Sequence, residues 1–292
     1  MTTLPEQVLL DMLRRGGCQL MISSRDATRS GFADINGTRL FYEIAGAGPA
    51  LVLLHGFSLD TRMWEDQYAA LAQRYRVLRY DARGFGRSAV PGAERYSHAD
   101  DLLALLGYLD IAHAALIGFS LGGGIAISFA LTYPTAVDAL IVAGSLLPGR
   151  RLSAELGASF GAIWAAGRTL GVAAARERWL QHPLFAPILQ QPGPRARLAL
   201  IVSEYSGWEW THKDPQRDPD PPPATRLDEI RAPTLAIVGE RDLSDFQAIA
   251  GLIERELPGA RRVVLPSAGH VVNMEAPEQF NTLVLDFLEK YL

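Results

Sequence analysis

The tightest constraint in this 292-residue chain is the turn Gly118-Phe119-Ser120-Leu121-Gly122. The apolar run Ala114-Ala115-Leu116-Ile117 enters it, and Ile125-Ala126-Ile127-Ser128-Phe129-Ala130-Leu131 leads away toward a stop at Tyr133-Pro134. The first run reads as a buried strand and the second as a helix. Joining them over so few residues demands a sharp bend. Glycines two before and two after Ser120 remove the side chains that would collide with the adjoining strand and helix. The bend points the serine hydroxyl away from the sheet and sets it before a helix N-terminus, where developing negative charge is favoured. A glycine-rich packing turn would share the pattern, so Ser120 needs partners elsewhere in the chain to count as a nucleophile.

The surrounding pattern is an alternation of strands and helices. Phe32–Ile35 and Thr38–Ile44 flank Asn36-Gly37, a strong short signal for a hairpin. Ala50–Leu54, Tyr75–Tyr80, Ala114–Ile117, Ala139–Ala143, Thr234–Val238 and Arg262–Leu265 then read as strands, several of them continuous apolar runs. Helical stretches fall between them, at about Thr61–Gln73, Ser97–Leu109, Ser244–Glu256 and Pro277–Tyr291. This order predicts an α/β fold with a mostly parallel central sheet flanked by helices. The alternation lapses from about Leu146 to Thr225. That block carries helical patterns at Ala154–Leu170, Val172–Leu180 and Arg195–Tyr205, then the proline-rich Asp214–Pro223. It is expected to form a helical cap, residues 146–225, inserted after the sixth strand into a core domain made of residues 31–145 and 226–292. Residues 1–30 form an N-terminal extension with a helical stretch at Pro5–Arg15. It is read as a cover for the main domain, as a contact that makes a homo-oligomer, or as a loose arm.

Open parallel sheets carry their sites at the carboxyl ends of the strands. His55-Gly56-Phe57 follows Ala50–Leu54, and Asp81-Ala82-Arg83-Gly84-Phe85-Gly86-Arg87-Ser88 follows the next strand. The Ser120 turn follows the third. Gly239-Glu240-Arg241-Asp242 and Pro266-Ser267-Ala268-Gly269-His270 follow the last two. A serine, an aspartate and a histidine thus stand at three strand ends in the order nucleophile, acid, base.

In these five pieces, and over nearly everything from residue 32 onward, the chain resembles the α/β-hydrolase superfamily. The resemblance implies the α/β-hydrolase fold and the same roles that the residue types suggest. Ser120 would attack a carbonyl carbon, His270 would act as base and then as acid, and Asp242 would orient the imidazole. The backbone N–H groups of Phe57 and Leu121 would form the oxyanion hole. His55, Asp81 and Arg83 are read as loop supports, His98 and His113 as surface residues, and Asp245 as a helix cap. His182 and His212 are weighed as substrate contacts, second to a packing role.

Composition narrows the partners. A net charge of −4 provides no basic footprint for nucleic acid or an anionic membrane. No stretch approaches the roughly 20 apolar residues of a spanning helix. No basic, then apolar leader stands at the N-terminus, and the single cysteine, Cys18, excludes an internal disulfide and a cysteine zinc site. The expectation is a cytoplasmic enzyme that uses neither metal nor cofactor and acts on a small molecule.

Serine at the nucleophile position argues against the alkyl-ester chemistry of haloalkane dehalogenases and epoxide hydrolases, and Ser58 breaks the His-Gly-X-Pro pattern of the latter. Asp60–Trp64 and Val77–Gly84 look like enol-lactonases of aromatic catabolism, bacterial carboxylesterases and carbon–carbon bond hydrolases. The first reading is therefore hydrolysis of a carboxylic ester or lactone. The alternative is a carbon–carbon bond hydrolase or a cofactor-free perhydrolase on the same triad, and the third reading is a ligand receptor with a retained triad. Trp164, Phe185, Trp208 and Trp210, among the bulky groups of the cap, are the candidate substrate contacts, with packing of the cap onto the core as the competing role.

Overall fold

The computed structural model describes residues 28–217 and 219–292. The expected helix at Pro5–Arg15, Cys18 and most of the proposed oligomer contact lie outside the described residues. The sheet has eight strands: β1 (Arg29–Ile35), β2 (Thr38–Ala45), β3 (Ala50–Leu54), β4 (Arg76–Tyr80), β5 (Ala114–Phe119), β6 (Val137–Ala143), β7 (Thr234–Gly239) and β8 (Arg261–Leu265). Their order is β1-β2-β4-β3-β5-β6-β7-β8. β1 and β2 form the antiparallel hairpin, turning through Asn36 and Gly37 at φ 45° and 65°. β2 is antiparallel to β4, and every later pairing is parallel.

Each residue of β5 and of β7 is buried, as expected of central strands covered on both faces. Helices α1 (Glu65–Ala72), α2 (His98–Tyr108) and α3 (Leu121–Thr132) belong to the first half of the core. α3 is apolar all round, and Gly122 to Leu131 are all buried. After β6 the chain leaves the sheet and builds the cap from α4 (Ala154–Leu170), α5 (Val172–Leu180), α6 (Pro192–Glu204) and the single turn α7 (Trp208–Thr211). The core resumes with β7, α8 (Ser244–Glu256), β8, the short α9 (Val272–Glu275) and α10 (Pro277–Tyr291).

The start of the cap is tied to the core through Asp245. Its carboxylate accepts from the Ser153 N–H at 2.6 Å and the Ser153 hydroxyl at 2.8 Å, while Ser153 Oγ caps α4 by accepting from the Leu156 N–H. Three details differ from expectation. The stretch at Thr61–Gln73 splits into a 3₁₀ turn, Thr61–Trp64, whose start is capped by the Asp60 side chain at the Arg62 N–H, and α1. β1 begins at Arg29, since its pairing with β2 continues to Ile44. His98, expected at the surface, is buried edge-on to Tyr96, and that burial pushes its pKa down to about 3.

Candidate active site

Ser120 stands between β5 and α3 at φ 51°, ψ −111°, a conformation that residues other than glycine rarely adopt. Its backbone is held from both sides: its N–H donates to Ala143 O at 2.9 Å, and its carbonyl accepts from the Leu146 and Gly124 N–H groups. The flanking glycines are required by close approach. A Cβ on Gly118 would overlap the backbone of Gly122, and one on Gly122 would overlap the carbonyl of Leu54 at the end of β3. The sharp turn is thus fixed by backbone packing.

Asp242 and His270 come from the ends of β7 and β8 and meet in the interior. His270 Nδ1 lies 3.1 and 3.0 Å from the two carboxylate oxygens of Asp242, which also accepts the Leu243 N–H at 2.7 Å. With a carboxylate opposite, Nδ1 carries the proton and Nε2 is left as an acceptor. That Nε2 atom is buried and has no hydrogen-bond partner among the described residues. The imidazole is packed by the rings of Phe119 and Phe246, with centroids at 5.0 and 4.2 Å.

Glu275, which sequence reasoning missed, clamps the backbone around His270. Its two carboxylate oxygens accept from the Gly269 N–H at 2.7 Å and the Val271 N–H at 2.9 Å, the amides on either side of the histidine. Burial raises its carboxyl above the usual carboxylate range, while the two donors act against that shift. Glu275→Gln keeps one acceptor oxygen and turns an NH₂ toward the other N–H. With His270 in the role of base that the sequence assigns it, kcat should fall about 10²-fold, the scale of a small misplacement of the reacting group, with KM nearly unchanged. Steady-state kinetics on an ester checks this, and a wild-type kcat would show that the clamp does not set the histidine.

The third element is the loop after β3. His55 Nε2 accepts from the Ala82 N–H at 2.9 Å, so Nδ1 carries the proton and donates to Gly56 O at 2.8 Å. The turn is closed by the Leu59 N–H on the same carbonyl at 3.2 Å. A Cβ on Gly56 would strike the Phe119 ring. The Phe57 N–H makes no hydrogen bond among the described residues, and the Leu121 N–H opens α3, where the first turn lacks helical acceptors. Asp81 and Arg83 brace the neighbouring loop: Asp81 accepts from the Thr61 and Arg87 N–H groups, and Arg83 is paired with Asp101 at 2.7 and 2.8 Å.

Ser120 and His270 open onto one apolar cavity of about 180 Å³. Its core side includes Leu59, Phe119 and Phe246, and its cap side Phe160, Trp164, Trp179, Leu184 and Phe185. Leu121, Leu146 and Leu152 separate it from a second cavity of about 240 Å³, at whose rim stand Arg150 and Arg217. Trp164 and Phe185 are therefore on the wall, and Phe160 and Trp179 join them.

Trp208 and Trp210 are not on the wall of the Ser120 cavity. Two residues apart on one helical turn, they diverge: Trp208 stacks on His212, while Trp210 is fully buried behind Phe57, against Gly167, where a Cβ would collide with it. Neither cap histidine reaches the cavity wall. His182 Nε2 meets Ser159 Oγ at 2.9 Å, and its Nδ1 accepts from the Leu184 N–H, so it stitches the cap together. Among the described residues no three His, Cys, Asp or Glu side chains are grouped to hold a metal ion, and no helix is long and apolar enough to cross a membrane.

A family model of the alpha/beta hydrolase fold matches residues 49–277. Over 264 residues the chain is 31% identical to the putative 2-succinyl-6-hydroxy-2,4-cyclohexadiene-1-carboxylate synthase of Bacillus subtilis, covering 85% of this chain and 94% of that one. A stretch of 114 residues is 41% identical to an uncharacterized protein of Mycobacterium tuberculosis. It covers 38% of this chain and 33% of the relative, so the match spans a third of that protein's length. Among solved structures, the enol-lactonase from Burkholderia xenovorans LB400 superposes with a TM-score of 0.75 at 28% identity, covering 89% of this chain and 100% of that one.

Proposed function

The chain belongs to the α/β-hydrolase family, and from that premise we propose that it cleaves a carboxylic ester or lactone through an acyl-enzyme formed on Ser120. One observation carries the reading. The Asp242–His270 pair leaves Nε2 of His270 as the free acceptor of the ring, and His270 lines the same cavity as Ser120. An imidazole held by a carboxylate at Nδ1 and able to accept at Nε2 is what proton transfer from a serine hydroxyl requires.

In the proposed sequence, Ser120 Oγ attacks the carbonyl carbon as its proton passes to Nε2. The oxyanion is met by the N–H groups of Phe57 and Leu121. The C–O bond to the leaving group breaks, and the leaving oxygen takes the proton from Nε2. Water then repeats the cycle on the acyl-serine and releases the acid. Asp242 stabilises the imidazolium throughout. The similarity to a protein named as an enol-lactonase supports the ester-or-lactone class.

The walls also favour a particular substrate. Apart from Ser120 and His270 the cavity is lined by aliphatic and aromatic side chains, so the group placed there is expected to be compact and uncharged. Burying an unpaired carboxylate costs several kcal/mol. p-Nitrophenyl butyrate should therefore exceed mono-p-nitrophenyl succinate in kcat/KM by about 10²-fold or more. Equal rates would place the acyl group instead in the neighbouring cavity, beside Arg150 and Arg217. The wider test is a panel of short esters, lactones and vinylogous diketones. Preference for a diketone would overturn ester cleavage in favour of carbon–carbon bond hydrolysis.

A further inference from the structure

The loop that carries Phe57 is attached to the cap by one buried hydrogen bond. Trp179, on α5, donates its indole N–H to Ser58 Oγ at 2.6 Å, across 121 residues of sequence. Ser58 is almost fully buried and sits at φ 60°, in the left-handed region that favours glycine. A serine held there needs its surroundings to fix it. Most of those surroundings come from the cap. The Phe57 ring packs on Trp164, Trp179 and Tyr205 with centroids at 5.0, 5.4 and 5.6 Å, and Phe85 of the core closes the set at 5.7 Å.

We propose that the cap sets the oxyanion hole: Trp179 is a positioning residue that, through Ser58, holds the Phe57 N–H toward the reacting carbonyl. The inference rests on the serine-hydrolase reading above and adds a dependence of that chemistry on a docked cap. Two amides would serve the oxyanion. The Leu121 N–H is fixed by α3 and by the packed glycine turn, so it holds whatever the cap does. The Phe57 N–H lies in a turn whose next residue is in an unfavoured backbone region; the core closes that turn at Gly56 O, and the cap adds the Trp179 bond to Ser58 and most of the rings around Phe57. Without the Trp179 bond the Ser58 hydroxyl loses its buried donor, and the turn can relax and swing the Phe57 N–H out of line. Ground-state binding uses the apolar walls and would change little, whereas the charge that develops on the carbonyl oxygen would be less well met.

Ser58→Ala is the cleaner probe, because Ser58 is not on the cavity wall, and Trp179→Phe removes the donor from the other side. Each is expected to lower kcat about 10-fold, a part of the 10²–10³ that follows loss of a whole donor; KM should stay within about twofold in Ser58→Ala, while Trp179→Phe also reshapes the cavity wall and is read on kcat alone. The double variant should be no slower than the slower single one, because both remove the same bond. A boronic acid that adds to the serine should lose affinity by the same factor as kcat, while the planar product acid should bind as before. A merely structural contact would lower thermal stability without that split. Wild-type kcat in both single variants, or losses that multiply in the double, would overturn the proposal. If wild type and Ser120→Ala were equally inert toward every ester, the serine-hydrolase reading itself would fail. Turnover abolished in Ser120→Ala but unchanged in Ser58→Ala would sink the coupling alone.

Discussion

Ser120→Ala is expected to reduce kcat on p-nitrophenyl acetate by roughly 10⁶, with no burst of p-nitrophenol on mixing. The size follows from the roles assigned. Without Oγ there is no nucleophile and no acyl-enzyme, and what remains is attack by water in a cavity that can still polarise a carbonyl. The fold should survive, because Ser120 is held by its backbone N–H and carbonyl. Its strained φ of 51° makes a second comparison informative. Ser120→Gly should be as inactive as Ser120→Ala yet more stable. An alanine there keeps the left-handed strain, worth about 1–2 kcal/mol, whereas glycine gives up part of that in unfolded-chain entropy. A net gain near 1 kcal/mol corresponds to a melting temperature about 2 °C higher for a chain of this size. A Ser120→Ala variant that kept a tenth of wild-type activity would remove the acyl-enzyme from the account.

The parts of the site that are legible in the residues are those set by short-range geometry. Gly118 and Gly122 announce a turn that admits no Cβ, and an apolar run followed by a polar residue marks the end of a buried strand. Both signals are local, and the structure sets Ser120 and His270 on one cavity, with Asp242 behind the histidine. What escaped depends on contacts between segments far apart in sequence. Trp179 and Ser58 are 121 residues apart, and nothing in the helical periodicity of α5 says which core residue it will meet. Trp208 and Trp210 carried the same bulk and polarity as Trp164, but only tertiary packing decides that one stacks on a histidine and another lies behind Phe57. His98 reads as a polar residue at a helix start, and its burial follows from the direction α2 faces. Glu275 left a fainter trace: a carboxylate five residues after a histidine, on a helix too short to be seen by periodicity.

Asp242→Asn is expected to cost about 10⁴ in kcat while leaving the structure nearly intact. The native carboxylate accepts from Nδ1 of His270 with both oxygens, at 3.1 and 3.0 Å, and from the Leu243 N–H with Oδ1 at 2.7 Å. An asparagine of the same shape can keep only one oxygen. If that oxygen stays with the Leu243 N–H, the NH₂ faces Nδ1, which must then accept. The ring proton moves to Nε2, the one atom that has to take the proton of Ser120. If the amide turns the other way, the Leu243 N–H faces a donor instead. Either way the imidazolium formed during attack loses the buried charge that stabilises it. The loss should therefore fall on kcat, with KM little changed and the melting temperature shifted by only a few degrees. Asp242→Ala, which leaves Nδ1 free to rotate, should be at least as slow. Retention of a tenth or more of wild-type kcat by Asp242→Asn would mean that another group orients His270. The Glu275 clamp on its flanking amides would then be the first place to look.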